Sequence, residues 1–144
     1  MPSPPNLLYL IKQLELAVRA SLDEVLRPAE LTPLQYTALT VLQRRDNLTT
    51  AELARNSLVT DQTMAGMIVT LERRGLIERE NDAQDRRRRV IRLTEAGRGV
   101  LDRFAGPVAA IEERMLAGLG PEDAEGLRRS VLHCHAALAD RVPH

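Results

Sequence analysis

The sequence predicts a mainly α fold with a small β-hairpin wing, a winged helix-turn-helix core flanked by long N- and C-terminal helices. Three observations carry that expectation. Apolar residues recur at helical spacing behind recognisable capping residues along most of the chain. The period shifts once, between residues 76 and 93, to two short runs of apolar and charged residues around a polar turn. Directly before that shift come a short helix, a tight connection and a second capped helix. With 144 residues and neither a fixed-period repeat nor a low-complexity tract, the chain reads as a single domain over 1–144.

The first helix is read from Leu7, Ile11, Leu14, Val18, Leu22 and Val25, which share one face until Pro28 ends the pattern. Spanning 6–27, it would be about 33 Å long, and its stripe needs a cover. Thr32-Pro33-Leu34-Gln35 opens the second helix: threonine caps, proline takes the first helical position, and glutamine reaches back to the cap. Leu34, Ala38, Leu39 and Leu42 are its expected buried face. Thr49-Thr50-Ala51-Glu52 repeats the capping logic and starts a short helix to about Ser57. Thr60 caps the next, with Met64, Met67, Ile68 and Leu71 inward and Arg73-Arg74-Gly75 at its end. Two cations suit the negative helix terminus there, and glycine suits a left-handed stop.

Leu76–Glu80 and Arg89–Leu93 are the expected strands, joined by the turn-forming stretch Asn81–Asp85 and an arginine-rich tip. Thr94 caps a helix whose stripe is Leu101, Phe104, Val108, Ile111 and Met115, with Gly106-Pro107 expected to kink it. Gly120-Pro121 begins a last helix with Leu127, Val131, Cys134 and Leu138 in register.

Composition excludes some function classes. Hydrophobic residues are 44% and charged residues 28%, a soluble globular balance. No apolar run approaches the roughly 18 residues that cross a bilayer, and residues 1–15 lack a basic segment followed by an apolar one. No membrane partner and a cytoplasmic location are therefore expected. The single cysteine excludes an intramolecular disulfide and fits a reducing compartment. Twenty basic residues balance 20 acidic ones, so net charge alone gives no reason to invoke nucleic acid. Its distribution does. Between Ala83 and Leu93, five arginines (86, 87, 88, 89 and 92) face one acid, Asp85, for a local charge of +4.

That distribution suits duplex DNA. A helix fits the major groove, where each base pair shows its own pattern of donors and acceptors. A cationic loop beside it suits the minor groove, whose negative potential attracts arginine. On the Thr60–Arg74 helix, Gln62 can pair bidentately with adenine, Thr63 and Thr70 can reach a base or a phosphate, and Arg73 suits a phosphate. The competing explanation is an ordinary solvated helix face. Mid-helix glycine costs about 1 kcal/mol relative to alanine. Gly66 therefore points to close backbone approach, either by DNA or by a packed helix.

Asp85-x-Arg87, five further residues, and Leu93-Thr94-x-x-Gly97 resemble the signature of the MarR family of bacterial transcriptional regulators. Leu71-Glu72-Arg73-Arg74-Gly75-Leu76 resembles that family's recognition-helix end, and Thr32-Pro33-Leu34-Gln35-Tyr36 its second-helix opening. The resemblance implies a winged helix-turn-helix lobe over 33–93, with dimerisation helices over 6–27 and 95–141. It implies that Arg87 enters the minor groove, that Asp85 orients the wing, and that Arg86 and Arg88 contact flanking phosphates. It also implies a homodimeric repressor of a pseudo-palindromic operator, released by a small phenolic or otherwise aromatic effector, with no cofactor. Two departures stand out. Ala83 replaces a frequent proline, which leaves the wing tip less rigid, and Ala65 and Gly66 replace larger polar residues. Base reading would then rest on Gln62, Thr63 and DNA shape.

The residues leave other readings open. A dimeric winged-helix module could bind protein instead of an operator, and Cys134 could sense oxidants, although its place on the apolar stripe favours a buried structural thiol. His133-Cys134-His135 cannot converge on a metal, because consecutive helical side chains diverge by about 100°. Tyr9 and Tyr36 could line a ligand cavity, but core packing is the favoured reading. No phosphate loop, zinc-protease helix or nucleophile elbow is present, so no enzymatic activity is expected.

Overall fold

A computed structural model describes residues 3–139. Helices α1 (Leu7–Leu26), α2 (Pro33–Arg44), α3 (Thr50–Ser57) and α4 (Asp61–Arg73) precede a hairpin of β1 (Ile77–Asn81) and β2 (Arg89–Leu93). Helices α5 (Glu95–Leu116) and α6 (Pro121–Ala139) follow. The described residues form two compact units that divide between Val108 and Ala109, inside α5. The mainly helical architecture with one antiparallel hairpin is the one expected. The C-terminal end of the expected 95–141 segment lies outside the described residues.

Local chemistry sets the helix starts. Thr32 Oγ1 accepts the Gln35 N–H at 3.1 Å while the Gln35 side chain accepts the Thr32 N–H at 3.0 Å. Thr49 and Glu52 make the same reciprocal pair at 3.2 and 3.0 Å. Each pair satisfies two backbone donors that a helix start leaves orphaned. Thr60 accepts the Thr63 N–H, and Thr94 accepts the Gly97 N–H, both at 3.1 Å. At the far end of α4, Gly75 takes φ +75°, the left-handed stop its position suggested. Leu58, which ends α3, also lies in the left-handed region at φ 63° and is 80% exposed. A bulky side chain is strained there, and no local residue pattern marks the position.

Among the described residues, every buried apolar side chain lies between Leu26 and Phe104. Leu39 and Leu42 from α2, Leu53 from α3, and Met64, Ile68 and Leu71 from α4 close over Ile77 and Ile91 of the hairpin. Burying each such side chain contributes about 1.5–3 kcal/mol. Several stripe positions depart from expectation. Leu34 is 47% exposed because it lines an open cleft between α1 and α2. Val108 and Ile111 are only partly buried and Met115 is exposed, since the core ends at Phe104. No residue of α6 is buried, so Val131, Leu138 and Cys134 are exposed in the single chain, and Cys134 is not the buried thiol expected. Tyr9 is likewise exposed on α1, whereas Tyr36 is core, where burial raises its hydroxyl pKa.

Candidate nucleic-acid interface

Helices α3 and α4 meet through the residues 58–60 turn, and α4 presents its outer face to solvent. Gln62 and Thr63 are exposed, Thr70 is half-buried, and Arg73 is exposed without an ion pair among the described residues. The two threonine hydroxyls are already engaged. Thr63 Oγ1 accepts from Thr60 Oγ1 at 3.0 Å, and Thr70 Oγ1 donates to the Gly66 carbonyl at 3.3 Å. Gln62, like Arg73, is therefore an uncommitted bidentate group on this face among the described residues. A methyl group built at Gly66 would meet nothing within 4 Å, so packing inside the described chain does not explain that glycine.

The hairpin beside α4 is fixed at its root. Its register pairs Ile77 with Leu93 and Asn81 with Arg89. The Ile91 N–H donates to the Leu48 carbonyl at 2.7 Å, which adds the segment before α3 to the sheet. The Thr94 hydroxyl donates to the Gly75 carbonyl at 2.6 Å, joining the end of β2 to the end of α4. Arg79 forks onto Glu72 of α4, with Nη2 to Oε1 at 2.8 Å and Nε to Oε2 at 3.3 Å. The Arg79 side chain holds the Glu72 carboxyl below its ordinary pKa. Arg92 reaches Glu80 across the strands at 2.5 Å.

Internal hydrogen bonds fold the tip. The Asp82 N–H donates to the Arg88 carbonyl at 2.8 Å, and Asp82 Oδ1 accepts the Gln84 N–H at 2.9 Å. Asp85 Oδ1 accepts the Arg87 N–H at 3.1 Å, and the Asp85 carbonyl accepts the Arg88 N–H at 2.9 Å. Arg87 Nε lies 4.0 Å from that carboxylate, yet the Arg87 side chain is 98% exposed. Arg86 is also exposed and has no ion pair among the described residues. Arg88 differs from both. Its guanidinium binds Asp82 through Nη1 at 2.9 Å and Glu52 of α3 through Nη2, and only a third of its side chain is exposed. Asp85, Arg86 and Arg87 thus share the outer tip, while Arg88, expected as a phosphate contact, turns inward. Glu52 and Asp82 were missed as its partners. Glu52 was recognised only as a cap, although a third-position glutamate also leaves one carboxylate oxygen for another donor.

Residues 31–88 match the MarR family. Transcriptional regulator HosA of Escherichia coli is 32% identical over 96 residues, covering 67% of this chain and 71% of HosA. The chain belongs to the MarR family. The HTH-type transcriptional repressor Rv2887 of Mycobacterium tuberculosis is 31% identical over 118 residues, 81% of this MarR-family chain and 85% of that one. The MepR–DNA complex of Staphylococcus aureus superposes with a TM-score of 0.85 at 26% identity, covering 94% of this chain and all of that one. This MarR-family protein is accordingly a winged-helix transcriptional regulator, in a family of regulators and not of enzymes. No described helix is long and apolar enough to cross a membrane.

Proposed function

We propose that this protein is a homodimeric repressor that binds a pseudo-palindromic operator and leaves it when a small ligand binds. The observation that carries the DNA reading is Arg87, almost wholly exposed at the tip of a hairpin pinned to the lobe that bears α4. In this reading residues 33–93 form the DNA lobe within one module. Gln62 reads a base, and Thr63 and Thr70 bring hydroxyls near the duplex. Arg73 and Arg86 bind phosphates, while Asp85 shapes the tip that delivers Arg87 to the minor groove. The repressor names of relatives such as Rv2887, and the DNA held by MepR, support the same reading.

The effector reading is supported by a cleft of about 540 Å³ between α1 and α2. Val18, Leu22, Pro33 and Leu34 give it apolar walls, and Glu15, Arg19 and Asp23 edge it. Size and lining suit a small aromatic molecule. Such a ligand displaces DNA only if it favours a spacing of the two α4 helices that the operator does not match.

The test is fluorescence anisotropy with duplexes from the promoter region of the protein's own gene across a salt series. Affinity is expected to fall steeply with salt as phosphate contacts release counterions. Arg87→Ala should weaken binding by about 1–3 kcal/mol and leave the oligomeric state unchanged. Absence of binding at low salt overturns the DNA reading. Unchanged affinity in Arg87→Ala removes that residue from the interface.

A further inference from the structure

Arg88 lies among the wing arginines in sequence but not in space. Its fork bridges two carboxylates on different elements, Asp82 at the hairpin tip and Glu52 in the first turn of α3, 36 residues away. Both acceptors already have structural tasks. Glu52 closes the α3 capping box on Thr49, and Asp82 holds the turn through the Gln84 N–H. The Asp82 N–H and the Arg88 carbonyl are also bonded to each other, so the guanidinium and its backbone grip the tip from two sides.

We infer that Arg88 is a positioning residue: by clamping the hairpin tip to the α3 cap through Glu52 and Asp82, it sets where neighbouring Arg87 and Arg86 project. The inference rests on the DNA reading above and adds acids to the set of residues on which DNA affinity depends. Simple electrostatics gives the opposite sign. If Arg88 were a phosphate contact, Glu52 would compete with DNA for it, and removing the carboxylate charge would tighten binding. If Arg88 is a clamp, removing that charge releases the tip and weakens binding.

The deciding variant is Glu52→Gln. Glutamine serves the third capping position as well as glutamate does, as Gln35 shows in α2 of this same chain, so the α3 start is kept while the ion pair is lost. Asp82→Asn tests the clamp from the hairpin side without touching α3. Both are measured against a labelled duplex selected by the wild-type protein from random-sequence DNA, with thermal unfolding as the folding control. Expected for each is an affinity loss of roughly threefold to tenfold, with little change in the slope of log affinity against log salt, since no phosphate contact is lost. Combining Glu52→Gln with Arg88→Ala should weaken binding little more than Arg88→Ala alone, because both remove one clamp. Unchanged or tighter binding by Glu52→Gln and Asp82→Asn overturns the inference. A second readout needs no DNA: backbone amide relaxation of residues 83–87 should show greater mobility in both variants. Should the wild-type protein bind no duplex, the DNA reading fails while this readout still decides the clamp, and unaltered tip mobility sinks it.

Discussion

At position 97 a single methyl group decides whether α5 can begin where it does. A Cβ built on Gly97 would lie 2.3 Å from the Leu76 carbonyl oxygen and 2.7 Å from Leu93 Cδ1. The first of these is backbone, and it is the acceptor of the Thr94 N–H, so it has no freedom to retreat. Gly97→Ala is therefore expected to cost about 2–3 kcal/mol, of the order measured for overpacked cores, despite alanine's better helix propensity. Urea denaturation checks this, and a variant as stable as the parent would show that the hairpin root tolerates displacement. The glycine was visible in the sequence as part of a motif, but its reason was not: the clash is with a residue 21 positions away. The same holds for Leu58, whose left-handed backbone is imposed by the turn into α4, and for Ser57, whose buried hydroxyl has no partner among the described residues. Tertiary placement, not local propensity, creates all three.

Helix starts, by contrast, are local contests between side chain and backbone, which is why Thr32, Thr49, Thr60 and Thr94 are legible as caps in the sequence itself. The hairpin was equally legible, since its period and polar turn are written in adjacent residues; its first strand lies one residue later than expected, at Ile77–Asn81. What could not be read was the division of labour among its arginines. Arg79 and Arg88 look like Arg86 and Arg87 in sequence, and only the folded positions of Glu72, Glu52 and Asp82 separate them. Those three carboxylates give the element a pH signature. The pKa of Glu72 is lowered chiefly by Arg79, that of Glu52 by the Thr49 N–H and then Arg88, and that of Asp82 by the Gln84 N–H and then Arg88. Because each folded pKa lies below its unfolded value, the stabilisation is complete above the ordinary carboxylate values of 4.5 for glutamate and 3.8 for aspartate. It is withdrawn as pH falls through the lower folded values. Thermal unfolding is expected to be nearly flat between about pH 6 and 8 and to weaken below about pH 4.5. Glu72→Gln with Glu52→Gln should shallow the acid fall. An acid limb of undiminished depth in that double variant would assign it to other groups.

For the whole molecule, the question is what covers the apolar surface that one chain leaves open. On α1, Leu7, Leu8, Ile11 and Leu14 are 67, 75, 53 and 46% exposed; on α6, Val131, Leu132 and Leu138 are 58, 64 and 65% exposed. Isolated apolar side chains on a surface need no explanation, but repeated exposed apolar positions on two long helices suit an interface. In the proposed dimer, a second copy of the chain would cover both rows, which would give the regular stripes of α1 and α6 a role although neither helix supplies much core. Dimerisation would also supply affinity, because a second α4 tethered near its half-site binds at a high effective concentration, worth about 10²- to 10⁴-fold. Sedimentation equilibrium at micromolar concentration should give twice the chain mass. Leu8→Glu with Ile11→Glu should shift it toward monomer with the chain still folded, because neither side chain belongs to the hydrophobic core. Operator affinity should fall by at least about a hundredfold in the same variant, while binding to a single half-site changes little. A wild-type chain that sediments as a monomer, or a monomeric variant that holds the full operator as tightly as the parent, would leave these rows without that role and the two-helix reading of DNA without its geometry.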